Sequence, residues 1–201
     1  AIAQEWLAAG PWDSDEFLEA RLDNHDDELG RTVAALRLRS TLASIRRERT
    51  RKAYNPSRGS RIAIDARSLQ STAYGARGIG RFAASVVLAA RATAGDDRVT
   101  LIVDRGLDPL PEAISGTCKQ VSRIHNAGEF ALLLQPSPMT HSPRPLIPLL
   151  ASNCDSWALV FDFIPLHYPS VYANNPAAGA EYAARLEALR LCRHFSATVS
   201  Y

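Results

Sequence analysis

From residue 61 onward, short apolar runs alternate with stretches of helical spacing. The runs are Ile62 to Ala66, Val99 to Val103, Lys119 to Ile124, Phe130 to Leu134, Trp157 to Phe161 and Phe195 to Val199. Each has the length of a strand and is bounded by glycine, proline or polar residues. Between the first two, Gly80 to Ala94 sets Phe82, Val86, Val87 and Ala90 on one helical side and stops at Gly95. Ala177 to Arg193 does the same with Tyr182, Leu186, Leu189 and Cys192. Residues 104–117 are a proline- and glycine-rich connector with helical room only at Pro111–Ile114. Five prolines from Pro136 to Pro148 exclude a regular element before Leu149, and Pro165 to Pro176 reads as loop. Strands alternating with helices predict an α/β fold: a Rossmann-like parallel sheet flanked by helices over residues 61–201.

Residues 1–55 read differently. Asp13 can cap a helix and Glu16 can close its capping box, after which apolar residues at helical spacing run to about residue 52, with a break at Gly30. This predicts a helical extension, followed by an Asn55–Ser60 linker and a domain boundary. Charge is polarised along it. Residues 13–28 hold eight acids against Arg21, and residues 31–61 hold ten bases against Glu48. That order suits a helix dipole and a solvated connecting helix. The sharper reading is a basic face for anionic lipid or phosphate, and so a peripheral membrane contact through residues 31–61. No aromatic residue interleaves with the bases before Tyr54, which argues against a nucleic-acid arm.

Bulk properties narrow the class further. The 201 residues are 46% hydrophobic and 22% charged, a globular composition, and the net charge of +2 is too small to imply nucleic acid. Cys118, Cys154 and Cys192 are scattered and odd in number, which favours a reducing, cytoplasmic setting over disulfides or zinc. No apolar run reaches membrane-spanning length. The chain begins at Ala1 and stops just after a strand, so we expect it to belong to a longer polypeptide.

Chemistry is expected where strands hand over to loops. Gly75-x-x-Gly78-x-Gly80 lies between the first strand and its helix, with Arg77 and Arg81 in or beside it. Glycines admit close backbone approach, and a helix start offers free N–H groups, so a phosphate or sugar contact is one reading and a ligand-free tight turn the other. The spacing is neither the dinucleotide G-x-G-x-x-G nor a P-loop. Asp162 follows a buried strand, where a carboxylate can meet a substrate hydroxyl or simply cap the loop. His167, Tyr168, Tyr172 and Asn174 share that loop. No hydrolase triad signature and no metal-ligand spacing is present.

Three segments taken in order are more specific than any alone: Ile62-Ala63-Ile64-Asp65-Ala66-Arg67, Gly78-Ile79-Gly80-Arg81-Phe82, and Phe161-Asp162-Phe163-Ile164-Pro165-Leu166 with Tyr168-Pro169 downstream. Together with the 182–200 pattern they resemble the amino-terminal half of family 4 glycosyltransferases, the retaining sugar-nucleotide enzymes of GT-B fold, and most of all the mannosyltransferase-like members. The resemblance covers residues 61–201. It implies an acceptor-binding domain facing a second domain, in cis or in trans, that holds the nucleotide sugar and supplies a paired-glutamate motif. It further implies a glycan or lipid-linked saccharide acceptor, a nucleotide sugar as co-substrate, and neither metal nor other cofactor. Gly78, Gly80 and Arg81 would lie near the donor diphosphate, Asp162 would be the catalytic position, and Phe161 and Tyr168 would line the sugar site. Phe161 stands where the family has histidine, which removes a hydrogen bond at the transferred sugar. The competing expectations are a non-catalytic binding or scaffolding module and a different Rossmann-like nucleotide binder.

Overall fold

The computed structural model describes residues 28–51, 59–161, 168, 171 and 175–197. Six strands form one all-parallel sheet: β1 (Arg61–Asp65), β2 (Val99–Ile102), β3 (Lys119–Val121), β4 (Phe130–Gln135), β5 (Asp155–Val160) and β6 (His194–Ala197). Their spatial order is β3-β2-β1-β4-β5-β6. The helices are α1 (Glu28–Arg51), α2 (Thr72–Gly75), α3 (Gly78–Ala94), α4 (Glu112–Ser115), α5 (Ile147–Ala151) and α6 (Pro176–Leu189). Helices cover both sheet faces, as a Rossmann-like α/β fold requires.

Alternation along the central strands explains the two layers. Ile64 and Leu101 point into a cluster with Val87 of α3, Val99 and Cys118. Their neighbours Ala63 and Ile102, with Leu133, point the other way, into a larger cluster with Leu42 of α1, Leu149 and Leu150 of α5, and Ala188 and Leu189 of α6. A sheet buried on both faces needs apolar residues at successive positions, and β2 is buried at all four. The β3 edge is polar by contrast: Lys119 and Gln120 are exposed, which blunts pairing with another chain.

The element boundaries follow from local chemistry. Asn175 caps α6, its side chain accepting the Ala178 N–H at 2.8 Å, and Pro176 sits at the first helical turn, where its missing donor costs nothing. That helix ends at Leu189, short of the expected Arg193, because the chain must turn to pair with β5: the Arg193 N–H bonds Ser156 O and His194 lies opposite Trp157. The proline-rich stretch is also more ordered than expected. A 3₁₀ turn over Arg144–Leu146 runs into α5, with proline in the opening turn of each, where proline starts a helix instead of breaking one. Gly30 is buried within α1 and does not break it among the described residues.

Sequence left open where the extension belongs. Residues 28–51 pack lengthwise on α6, which turns Ala177, Ala180, Ala184 and Ala188 inward, small side chains that let two helices approach closely. On α1 the inward stripe is Ala35, Leu38, Leu42 and Ile45, at spacings of three and four. Arg49 fixes the far end. Its Nη1 donates to Leu150 O in the last turn of α5 and to Leu191 O just past α6, both at 2.9 Å, so one guanidinium serves a helix-terminal carbonyl and one just beyond a helix end. Arg46 reaches the buried Glu187 at 3.5 Å, and Arg190 pairs with the same carboxylate. Of the arginines read as an outward basic face, Arg49 is therefore an internal fastening, and the half-exposed Arg46 lies against a buried carboxylate of the same domain. Leu42 is fully buried, so Leu42→Ala should cost about 2–5 kcal/mol in urea unfolding. Truncating Leu88, 44% exposed on α3, should stay within about 0.5 kcal/mol. Equal, small effects would mean that α1 is not part of the folded core.

Candidate functional site at the carboxyl edge of the sheet

The first three strands run outward from β1 in one direction and the last three outward from β4 in the other. The chain therefore reverses between β1 and β4, and the loops leaving their carboxyl ends part to form a crevice, the usual ligand position in such sheets. Three polar fastenings tie those loops together. At the end of β1, Arg67 Nε and Nη2 donate to the two oxygens of Asp65, each at 2.8 Å, with both side chains nearly sealed from solvent (3% and 7% exposed). Arg67 Nη1 then donates to Ser142 O at 2.6 Å, reaching the loop after β4. Ser137 Oγ donates to Ser68 Oγ at 3.0 Å across the same gap. Finally, the Gln70 amide donates to the carbonyls of Asp104 and Asp108 while its oxygen accepts the Asp104 N–H, locking the loop after β2. Burial works against the Arg67 charge, but the adjoining Asp65 carboxylate outweighs it and holds the guanidinium above its ordinary pKa.

Above this floor lies a half-open cavity of about 610 Å³, bounded by α1, α6 and residues 141–147. Arg31, Arg37, Arg67, Arg144 and Arg185 line it, with His141, Asp104 and Glu181. The Tyr74 ring meets the His141 ring edge-on at a centroid distance of 5.8 Å, so α2 borders the same region. Burial and then the neighbouring Arg67 charge lower the His141 pKa below 6.5, and Arg185 adds to that effect; Asp65 and Asp104 oppose it. His141 is thus neutral at neutral pH, and its Nδ1 lies 2.9 Å from Thr140 Oγ1.

The residues expected at the donor side separate into two kinds. Gly78 opens α3, is exposed, and has nothing within 4 Å of where a Cβ would be, so a ligand can approach its backbone; Arg81, one turn on, is exposed as well. Gly80 is buried, and a Cβ there would fall 2.3 Å from Gly75 O and 2.5 Å from Gly75 Cα. Its lack of a side chain is accounted for by the close passage of α2. Phe161, just past β5, is brought to α3: its ring meets Phe82 edge-on at 5.8 Å. Tyr168 is 60% exposed. Asp162, His167, Tyr172 and Asn174 lie outside the described residues. His125 and His194 are exposed. Sequence reasoning assigned no role to His141, Arg144 or Arg185, whose residues are scattered and carry no motif.

No family model matches the chain, and no curated protein or solved structure matches it. No helix among the described residues is long and apolar enough to cross a membrane, and no group of His, Cys, Asp and Glu among them could hold a metal ion. The fold class, a Rossmann-like α/β domain with a crevice at its carboxyl edge, therefore rests on the topology itself.

Two outcomes follow from this geometry. Gly80→Ala should destabilise the protein by about 1–3 kcal/mol, because backbone atoms cannot give way as a flexible side chain would, whereas Gly78→Ala should stabilise by up to about 1 kcal/mol through helix propensity; thermal melts separate the two. His141 gives the second. Its folded-state pKa is lowered, so its contribution to stability is complete above 6.5 and is lost as pH falls through that value, when the unfolded chain takes up a proton that the folded one resists. Between about pH 7 and about pH 5, stability should fall more steeply in the native protein than in His141→Gln.

Proposed function

We propose that the chain is the acceptor-side half of a retaining glycosyltransferase of GT-B type, which moves a sugar from a nucleotide sugar to a glycan or lipid-linked glycan. The observation that carries this reading is the Phe82–Phe161 contact. It sets the opening turns of α3, just after its glycine-marked start, against Phe161 at the end of β5, residues about eighty positions apart in stretches whose motifs resemble that family, at the sheet edge where substrates bind in folds of this class.

In this reading the carboxyl edge is one wall of a cleft, and a facing domain holds the donor. Gly78 leaves room for a phosphate or sugar oxygen at the first N–H groups of α3, where the helix dipole favours negative charge. Arg81 adds an exposed positive charge one turn along. Phe161 offers an apolar ring and no hydrogen bond, so orientation of the sugar falls to Asp162 and to the facing domain. Closing two walls over the reactants excludes water and fixes donor against acceptor. A non-catalytic reading is favoured by the same Phe161, which has no donor or acceptor atom to offer the transferred sugar.

The test is transfer by the intact protein, with its second domain, from each nucleoside diphosphate sugar to a lipid-linked saccharide, with the product's anomeric configuration read by NMR. Retained configuration is expected, together with a loss of kcat/KM of about tenfold or more in Gly78→Val at an unchanged melting temperature. Donor binding without turnover would favour the scaffolding module, and neither binding nor turnover would overturn the glycosyltransferase reading.

A further inference from the structure

Arginines converge on the cavity under α1 far in excess of what local carboxylates can neutralise. Five arginines line it against Asp104 and Glu181. Even when Asp65, which holds Arg67 from behind, is counted with the acids, positive charge remains in surplus. Arg31, Arg37 and Arg144 pair with no carboxylate among the described residues. Arg185 is the most telling member. Its side chain is only 20% exposed, and its one ion pair is a 3.3 Å contact from Nη2 to the half-exposed Glu181. Its Nε is sealed from solvent and has no hydrogen-bond partner among the described residues. A guanidinium has five donors in a fixed fork, and leaving a sealed one unmatched costs free energy that an oxygen ligand would recover. Burial, followed by the charge of Arg67, weighs against the Arg185 cation, although Glu181 supports it. Arg67 itself is immobile, held at three nitrogen atoms by Asp65 and Ser142.

We propose that this cavity binds a small ligand through a phosphate or diphosphate group, with Arg185 and Arg144 contacting the anion and Arg67 forming a fixed positive floor. Planar guanidinium forks match phosphoryl oxygens in pairs, which a point charge cannot do. The volume of about 610 Å³ lies within the range of small-molecule sites and exceeds what a bare phosphate fills. The remaining wall is apolar, from Ala34, Ala35, Leu38 and Ala184, and suits the uncharged part of such a ligand. The site exists because α1 roofs the crevice, so the extension completes a binding pocket as well as a core. It stands apart from the donor position at Gly78 and Arg81 and does not rest on the glycosyltransferase reading.

Isothermal titration of the full chain with inorganic pyrophosphate at two salt concentrations tests the proposal. Saturable binding that weakens with salt is expected. Arg185→Gln should weaken it roughly tenfold and Arg144→Gln, at the exposed rim, about threefold, since each removes charge-assisted hydrogen bonds. Arg123→Gln, exposed just past β3 at the far edge of the sheet and outside the cavity, should leave the affinity unchanged. If Arg185→Gln does not fold, Arg144→Gln against Arg123→Gln decides the matter on its own. Displacement of pyrophosphate by a nucleoside diphosphate would identify a free nucleotide as the source of the group, and displacement by phosphatidic acid vesicles would identify a lipid headgroup; either supports the site. Absence of pyrophosphate binding by the native chain, or equal losses in Arg123→Gln and the cavity variants, overturns it.

Discussion

The pair formed by Asp65 and Arg67 is the constraint on which the rest of the carboxyl edge depends. Two residues apart at the end of the central strand, they cannot both be buried as charges unless they satisfy each other, and the bidentate geometry does this. The third arm of Arg67 then reaches Ser142 and draws the loop after β4 over the end of β1. Removing either partner would leave an uncompensated buried charge, a loss of about 3–5 kcal/mol in comparable cases. The cost is local, but its consequence is not. The same contact fixes His141 and Ser142, and through them one wall of the cavity.

Around that pair, the sheet reversal and the α1 helix divide the work. The reversal opens a crevice, as the strand order demands. Helix α1 closes it on one side, using an apolar stripe for burial and Arg49 for anchorage to the ends of α5 and α6. An arginine-rich helix could serve as a solvated connector or as a surface for anionic partners. Here its bases take different parts according to the face they occupy. Arg49 satisfies carbonyls of the domain, Arg46 lies beside the buried Glu187, Arg31 and Arg37 look onto the cavity, and Arg39, Arg47 and Arg51 remain exposed.

Much of the fold was legible in the sequence because it depends on local periodicity. Runs such as Ile62–Ala66 are apolar at successive positions, which a doubly covered parallel strand requires and a surface strand does not. Boundaries were less legible where tertiary pairing sets them. The end of α6 follows from the need to place His194 beside Trp157, and the helix within the proline-rich stretch depends on where each proline falls relative to a helix start. Gly80 shows a similar limit. A glycine in a turn reads as an invitation to a ligand, but the atom that excludes a side chain there is the Gly75 carbonyl, and only the packing of α2 on α3 reveals it.

The sequence by itself determined the α/β class, the strand-to-helix handovers and the segments in which polar residues leave buried strands, because these are set by spacing and backbone preference. The tertiary structure alone decided that α1 belongs to the core and that Arg67, His141, Arg144 and Arg185 share one cavity. It also decided that Phe161 lies against Phe82. Those facts depend on which elements meet across the reversal of the sheet, and residues separated by dozens of positions carry no mark of a meeting that only packing brings about.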